Sequence, residues 1–285
     1  MSAIAVLEVL APGAGAAIQD FGRKGWKQFG IPPGGAMDKD SAGKANLLVG
    51  NEEGAPVLEL LFTGARLRVL SAVELAVTGA DVETNCPQWR NFYAEAGQEI
   101  AFGQLRAGVW TYLAVQGGFA ECRWFGSASV DPRAGLGDTV RAGAQLHRES
   151  ALRSDGNFSR FVPESVRERF DQVPVLPVWR GPEWECFAEP VRARFLSESW
   201  LVSVKSDRAG YRLEGAALES ARLRMLSAPV AVGTVQVPPN GLPIVLLRDG
   251  PTVGGYPRFG ILDPLAISRF TQCAPGTAVR LKLVE

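Results

Sequence analysis

Short apolar or alternating runs, separated by turn residues, recur through the first half of the chain. Strands of this kind are typically spaced by about 8 to 12 residues in β-barrels and β-sandwiches, without the helical segments that alternate with strands in parallel sheets. The 32 glycines and 19 prolines fall mainly at the turns. The pattern therefore predicts a mainly β protein. The runs are Val57–Phe62, Ala65–Leu70, Val73–Thr78, Asn91–Ala94, Glu99–Phe102 and Thr111–Val115.

A polar, charged stretch without apolar periodicity interrupts the strand pattern in the middle of the chain. The length of 285 residues is enough for two domains, each with its own core. We interpret the stretch as the connection between them. The predicted organisation is an N-terminal β-barrel domain over residues 1–148, a polar linker over 149–173 and a C-terminal β-barrel domain over 174–285.

Three short helices are expected among the strands. The first begins near a cap at Asp40 or Ser41 and ends before Gly50, which occupies the position where glycine commonly ends a helix. The others begin at Glu189-Pro190 and Asp263-Pro264, because proline is well tolerated in the first turn of a helix.

Composition excludes several classes of function. Thirty acidic and thirty basic residues balance, so nucleic acid and an anionic membrane surface are not expected partners. The four cysteines are scattered and His147 is the single histidine, so no metal site is predicted. No P-loop or dinucleotide-binding glycine motif occurs. The N-terminus lacks a signal-peptide pattern and no apolar run is long enough to span a membrane, which predicts a cytoplasmic protein.

The stretch from Gly233 to Pro257 is the strongest candidate for a site. Two apolar runs flank Pro-Pro-Asn-Gly at 238–241 and predict a strand, a tight turn and a second strand. The second strand is followed by Asp249 and then a glycine-rich loop that carries Thr252 and Tyr256. Such a loop can offer a carboxylate, a hydroxyl and backbone N–H groups to a ligand.

Two other loops carry polar chemistry. The loop from Gln19 to Asp38 is long and rich in glycine, and ordered loops of this length are often functional. The loop Phe125–Gly137 contains Ser127 and Ser129 and could receive a carboxylate or phosphate through hydroxyl and N–H groups. In the first helix Asn46 lies on the apolar face, where its amide must hold either a neighbouring loop or a ligand.

These blocks and others resemble the KipA family, whose members are biotin-dependent carboxyltransferase-like proteins. The family includes the C subunit of 5-oxoprolinase and allophanate hydrolase subunit 2. The matching blocks cover most of the chain in order. They are Gln19-Asp20-x-Gly22-Arg23-x-Gly25, GIPPGGAMD at 30–38, ANLLVGN at 45–51, Glu59, Thr78-Gly79-Ala80-Asp81, Gly117-Gly118, Gly126-Ser127, Asp207-Arg208-x-Gly210-Tyr211-Arg212-Leu213, Gly233-Thr234-Val235-Gln236-Val237-Pro238 and Asp249-x-x-Thr252-x-Gly254-Gly255-Tyr256-Pro257.

The resemblance implies two cyclophilin-like β-barrel domains and a role in a multi-subunit enzyme. It implies two partners, a KipI-like B subunit and a third component, the A subunit. The assembly would hydrolyse 5-oxo-L-proline to L-glutamate with ATP, as a hydrolase acting on a cyclic amide C–N bond. The sequence does not indicate where ATP binds. No lysine lies in a Met-Lys hairpin, so biotin would be carried by another protein.

Amide chemistry needs donors for a developing oxyanion, a group that moves a proton, and groups that hold the substrate. Asp249 is the predicted carboxylate that orients or deprotonates the amide, and Asn46 and Gln236 are amides suited to a planar amide or ureido group. Asp249 could instead be a turn cap, and the arginine-rich turn at Arg208 could be a structural ion pair. The remaining predicted substrate-binding residues are Arg212, Arg208, Tyr256, Gly254, Gly255, Thr252, Asp38, Asp20 and Arg23.

Two alternatives remain open on the sequence alone. One is a urea- or allophanate-type carboxyltransferase or hydrolase component, since urea carboxylase contains a similar pair. The other is a regulatory binding subunit without chemistry, of the kinase-inhibitor antagonist type. Peptidyl-prolyl isomerase activity is disfavoured, because a cyclophilin-type cleft uses histidine and the single histidine follows a strand.

Overall fold

The computed structural model describes residues 3–148, 159–219 and 225–284. The chain divides into two compact units. Unit 1 comprises residues 1–24 and 34–169, and unit 2 comprises 25–33 and 170–285. This division differs from the predicted boundaries, because residues 25–33 belong to unit 2 and residues 159–169 belong to unit 1. Residues 149–158 of the predicted linker lie outside the described residues.

Unit 1 contains an eight-stranded sheet and one α-helix. The elements are β1 (Ile4–Pro12), β2 (Ala16–Gln19), α1 (Lys39–Leu48), β3 (Val57–Leu61), β4 (Ala65–Val69), β5 (Val73–Thr84), β6 (Asn91–Ala94), β7 (Glu99–Val115) and β8 (Gln145–Arg148). Six of the strands follow the order β2-β3-β7-β4-β1-β8, and β5 pairs with both β7 and β6.

Strand β4 shows how the sequence builds this sheet. Ala65, Leu67 and Val69 are buried, whereas Arg66 and Arg68 between them are exposed, as period-2 alternation requires. The exposed arginines pair with Glu99. The inner face joins one apolar core that includes side chains from most strands of the unit.

Unit 2 contains a closed barrel. The elements are β9 (Val175–Arg180), α2 (Glu189–Ser197), β10 (Trp200–Val202), β11 (Gly210–Glu214), β12 (Ala228–Pro229), β13 (Thr234–Gln236), β14 (Ile244–Leu246), β15 (Val253–Gly254), β16 (Arg258–Leu262), α3 (Pro264–Thr271) and β17 (Ala278–Leu283). The barrel strands follow the order β10-β11-β14-β13-β16-β9-β17, and β10 closes the barrel by pairing with β17. The β9–β17 pair is parallel and the other barrel pairs are antiparallel.

An aromatic cluster fills part of unit 2. The ring of Phe259, on β16, lies 4.7 Å from that of Trp184, 4.6 Å from that of Phe187 and 4.1 Å from that of Phe195, measured between centroids. All four side chains are buried. Large buried aromatic side chains of this kind contribute much of a core's apolar burial, so this cluster anchors α2 to the barrel.

The prediction of a mainly β fold with a few short helices is confirmed. The predicted hairpin around Pro-Pro-Asn-Gly is formed by β13 and β14, with Gly241 in a left-handed conformation. The cap of α1 differs from the expectation of Asp40 or Ser41. It is Asp38, whose carboxylate accepts a hydrogen bond from the Ser41 N–H. No helix in the described ranges is long and apolar enough to cross a membrane.

A buried polar network joins the chain before α1 to the sheet of unit 1. The Tyr112 hydroxyl donates to Glu59 Oε2 at 2.9 Å and accepts from the Asp38 N–H at 2.8 Å. The same carboxylate oxygen accepts from the Met37 N–H at 2.7 Å. Burial, followed by the nearby carboxylates of Glu59 and Asp38, raises the pKa of Tyr112 well above its usual value. The phenol is therefore held protonated in the folded chain.

Replacing Tyr112 by Phe should destabilise the protein by about 1–3 kcal/mol, because the Asp38 N–H and the Glu59 carboxylate both lose a buried partner. Tyr93→Phe is the matched control, since Tyr93 is largely exposed. It should change the free energy of unfolding by less than about 0.5 kcal/mol. Urea unfolding measures both values, and equal effects would contradict the proposed role of the network.

The same pair of variants tests the pH dependence. The folded-state pKa of Tyr112 is raised, so its contribution to stability is complete below the unfolded pKa of about 10 and is lost as the pH rises above that value. Between about pH 8 and pH 11 the wild type should lose more stability than Tyr112→Phe. An identical loss in both proteins would exclude this linkage.

Candidate functional site

The register of the unit 2 barrel places Arg212 and Gln236 on one outer row. Arg212 lies opposite Ile244, and Ile244 lies opposite Gln236 on the next strand. Directly opposed residues share a face of a sheet. The neighbouring row, Tyr211, Val245 and Val235, is buried in the barrel. Arg212 and Gln236 therefore flank Ile244 outside the barrel, separated by two strand spacings, or roughly 10 Å.

The glycine-rich loop after β14 covers Gln236. The Gln236 side-chain amide donates to the Tyr256 carbonyl at 3.2 Å. A Cβ atom on Gly254 would lie 2.4 Å from Gln236 Nε2, so only glycine allows this approach. Tyr256 remains 45% exposed. The structure thus brings Gln236, Gly254 and Tyr256 together and leaves Tyr256 partly exposed.

The two arginines of this row differ in their partners. Arg258, opposite Gln236, forms a two-pronged pair with Glu183, at 2.8 Å from Nε to Oε2 and 2.6 Å from Nη2 to Oε1. Hydrogen bonding to Arg258 lowers the pKa of Glu183. Arg212 is exposed, and among the described residues its guanidinium makes no hydrogen bond or ion pair. Arg212 therefore differs from Arg258 in having an exposed guanidinium without a protein carboxylate on it among the described residues.

Asp249 is paired with Arg208. The guanidinium Nε donates to Asp249 Oδ2 at 2.6 Å and Nη2 donates to Oδ1 at 3.1 Å. Only 7% of the Asp249 side chain and 21% of the Arg208 side chain are exposed. Of the interpretations of the Arg208 turn, the structural ion pair is the one observed. Asp249 and Arg208, both predicted site residues, bind each other where the loop leaves β14.

Thr252 and Gly255 belong to the same loop. The Thr252 carbonyl accepts from the Val230 N–H at 3.1 Å, and β15 pairs with β12, which ties the loop to a two-stranded ladder. Lys27 of unit 2 donates to the Val230 carbonyl, and burial lowers the pKa of this lysine. Among the described residues, a Cβ on Gly255 would meet the Ser227 hydroxyl alone, at 3.6 Å. Contacts before and after Gly255, at Thr252 and at the Tyr256 carbonyl, thus fix the loop, whereas the space beside Gly255 itself is not tightly packed by described residues.

The predicted site residues of unit 1 have different surroundings from those of unit 2. Asp20 is buried and accepts from the Gly22 N–H and the Ser127 and Ser129 hydroxyls through Oδ1, and from the Ala128 N–H through Oδ2, at 2.6–2.7 Å. The serine loop therefore does receive a carboxylate, as its composition suggested, but the carboxylate is that of Asp20. These contacts lock two loops together.

Arg23, Asp38 and Asn46 are also committed to protein contacts. Arg23 is 3% exposed and donates to the carbonyls of Trp124 and Ser129. Asp38 caps α1, as described above. The hydrogen bonds of Arg23, Asp38 and Asp20 thus satisfy buried groups of their own unit.

Of the two roles left open for Asn46, the structure shows the loop-holding one. Its amide donates to the carbonyls of Glu53 at 3.1 Å and Ala55 at 2.8 Å, and its oxygen accepts from Asn51 Nδ2 at 3.0 Å. The side chain is fully buried. Asn46 therefore fixes the loop that follows α1.

Sequence reasoning did not identify Glu183, Arg258 or Lys27. The Glu183–Arg258 pair spans 75 residues, and the Lys27–Val230 contact spans 203 residues. Only one local signal was available: Arg258 follows the glycine-rich loop by two positions. Its partner and its place in the outer row depend on the barrel register.

The Asp249–Arg208 pair should be coupled in stability. Asp249→Asn or Arg208→Gln alone should cost about 2–4 kcal/mol, because each leaves a largely buried charge without its partner. The double variant should cost less than the sum of the two, by about 1–3 kcal/mol. Chemical unfolding of the four proteins gives this coupling energy. Additive effects would show that the pair does not hold the loop.

Comparison with known proteins places these features in a family. The model of the carboxyltransferase domain, subdomain A and B, matches residues 29–283. The chain is 33% identical to the C subunit of 5-oxoprolinase from Haemophilus influenzae over 98% of this chain and 92% of that protein. It is 34% identical to the C subunit of 5-oxoprolinase from Escherichia coli over 90% of this chain and 84% of that protein.

Solved structures share the fold. A crystal structure of TTHA0988 has a TM-score of 0.89 and 32% identity, covering 98% of this chain and 55% of that one. The Kluyveromyces lactis urea amidolyase also has a TM-score of 0.89, with 25% identity, covering all of this chain and 19% of that one. This chain thus spans about half of TTHA0988 and about a fifth of the amidolyase. The resemblance inferred from the sequence motifs is confirmed, and the chain belongs to the carboxyltransferase-domain family that includes the C subunit of 5-oxoprolinase.

Proposed function

We propose that this chain is a component of an ATP-dependent 5-oxoprolinase, which hydrolyses 5-oxo-L-proline to L-glutamate. The family supports the enzyme class. The observation that carries the proposal is the outer row of unit 2, in which an accessible guanidinium and a carboxamide flank one apolar side chain. We define the outer-face site as Arg212, Ile244, Gln236, Gly254, Gly255 and Tyr256.

The substrate's chemistry matches these groups. 5-Oxoproline is a five-membered lactam with one carboxylate, and its hydrolysis adds water across the ring C–N bond to give an amine and a second carboxylate. Arg212 would clamp the existing carboxylate by a two-pronged hydrogen bond. Gln236 has a planar amide able to pair with the lactam, and Ile244 offers an apolar contact to the ring.

Charge develops on the lactam oxygen as water adds. Backbone N–H groups at Gly254 and Gly255 would donate to it, and Tyr256 and Thr252 would border the substrate. Asp249 remains a predicted catalytic carboxylate, but its pairing with Arg208 favours a role in positioning the loop. The proton transfer that accompanies ring opening would then need a group from another component of the complex.

The proposal assigns ATP to the assembled complex and not to this chain alone. The sequence carries no P-loop motif, and the described cations of the outer row are the accessible Arg212 and the paired Arg258, which suits a monocarboxylate better than a triphosphate. The partners would be a KipI-like B subunit and a third component, the A subunit. The complex would work in the cytoplasm.

Similarity to urea-processing enzymes supports a second candidate. Urea amidolyase of Saccharomyces cerevisiae is 25% identical over 96% of this chain, which spans 16% of that protein. A ureido or amide group presents the same planar donors and acceptors to Gln236, so a carboxyltransferase component using biotin carried by another protein is the alternative. Assaying the assembled complex with urea and with 5-oxoproline separates the two, since the proposal requires turnover of the lactam.

Arg212→Gln in the reconstituted complex should raise the KM for 5-oxoproline by about 10–100-fold, since a charge-assisted contact to the substrate carboxylate is lost. Arg280→Gln is the matched control, because Arg280 is an exposed arginine on another strand of the same barrel. It should leave KM and kcat unchanged. An unaltered KM for Arg212→Gln would remove Arg212 from the site.

Two adjacent glycines give a sharper test of the loop. Gly254→Ala places a methyl group 2.4 Å from Gln236 Nε2 and must displace either the Gln236 carboxamide or the loop, whereas the nearest described neighbour of a Cβ on Gly255 lies at 3.6 Å. We expect kcat/KM to fall at least about tenfold for Gly254→Ala and to change less than about twofold for Gly255→Ala. Both should keep wild-type thermal stability within a few degrees. Full activity of Gly254→Ala would exclude a site built on this contact.

A further inference from the structure

Unit 1 contains a cavity of about 460 Å³ that the outer-face site does not use. Small-molecule sites commonly have volumes of about 300–1,000 Å³, so the cavity is large enough for a ligand of amino-acid size. Two loops form its walls: residues 50–56, which follow α1, and residues 117–119, which follow β7. Arg123 completes the lining.

Hydrogen bonds hold the two loops in place independently of any ligand. Asn51 donates to the Val115 carbonyl at 2.8 Å and accepts from the Gly117 N–H at 2.8 Å, so its side chain joins the end of β7 to the loop after α1. Asn46 fixes the far end of that loop, as described above. A Cβ on Gly118 would lie 3.6 Å from the Ala55 Cβ, so the walls approach closely there. The cavity is a preformed feature of the fold.

Two side chains of opposite charge line this cavity, Arg123 and Glu52. The Arg123 side chain is 50% exposed, and its Nη1 lies 3.9 Å from Asp20 Oδ2, which is beyond hydrogen-bonding distance. Asp20 already accepts four shorter hydrogen bonds. Arg123 therefore forms a long ion pair with Asp20 without a hydrogen bond to it, and its N–H donors can also serve an anionic group in the cavity.

The other wall favours a cationic group. Glu52 is exposed in the loop and supplies a carboxylate. Gly50, also in the lining, follows the C-cap Val49 of α1, and Arg160 already donates to the Leu48 carbonyl at that helix end at 3.5 Å, so Glu52 is the group that favours a cation on this wall. A ligand that is complementary to both charged groups carries a carboxylate and an ammonium group.

We propose that this cavity binds a small zwitterionic α-amino acid, with its carboxylate on Arg123 and its ammonium group near Glu52. The site lies wholly within unit 1 and is distinct from the outer-face site. Only the choice of L-glutamate as a probe rests on the proposed function, since glutamate would be the product of that reaction. Binding to the cavity does not require the chain to be catalytic.

Isothermal titration of the intact chain with L-glutamate and with glutarate, which lacks the ammonium group, tests the proposal. Arg123→Gln should weaken binding of both probes at least about tenfold. Glu52→Gln should weaken L-glutamate by about three- to tenfold and leave glutarate unchanged. Ala55→Leu, which fills the space towards Gly118, should abolish binding of both.

Arg141→Gln is the matched control, because Arg141 is an exposed arginine of the same unit outside the cavity. It should bind both probes as the wild type does, and thermal melts confirm that each variant is folded. The proposal is overturned if the wild type binds no L-glutamate at about 10 mM. It is also overturned if Arg123→Gln or Ala55→Leu binds normally, or if Glu52→Gln affects the two probes equally. Loss of 5-oxoprolinase activity plays no part in this readout, so the two proposals can fail separately.

Discussion

The alternation of side chains between the two faces of β11, carried to β14 and β13 by their pairing, is the constraint on which unit 2 depends. A closed barrel leaves one set of side chains inside and the next set outside, so a shift of one residue would exchange the two. In β11, β13 and β14 the inner set is Tyr211, Val235 and Val245, which fill the barrel. The polar residues between them are thereby forced outward onto a single row. The apolar core thus determines where the functional groups lie.

The buried carboxylates of the two units have different kinds of hydrogen-bond donor. In unit 1 the Asp20 carboxylate is satisfied by hydroxyl and backbone N–H donors of the serine loop. In unit 2 Asp249 is satisfied by a guanidinium. Neutral donors at close range can hold a carboxylate without a full counter-charge, since each short bond to an anion is stronger than one between neutral groups. Arg123 adds a long ion pair to Asp20, at 3.9 Å, outside this set of hydrogen bonds.

Much of the fold could be predicted from the sequence because its signals are local. Alternation identified strands such as Ala65–Val69, and Asp263-Pro264 identified the start of α3. The inclusion of residues 25–33 in unit 2 could not be predicted, because it depends on contacts such as Lys27 with Val230, far apart in the chain. The candidate site was harder to predict from the sequence than the fold was, for a chemical reason. Residues that hold loops and residues that bind ligands are of the same types, since both must make directed hydrogen bonds. Asn46, Asp20 and Arg23 have the composition of a site, but their partners are protein carbonyls, hydroxyls and N–H groups.

The parallel pairing of β9 with β17 has a consequence for biosynthesis. These are the first and last strands of the barrel in chain order, and β17 also pairs with β10. Until β17 has emerged from the ribosome, β9 and β10 each expose an unpaired edge, and such edges promote association between chains. The barrel can therefore close only after that moment, and the two edges are open to other strands until then.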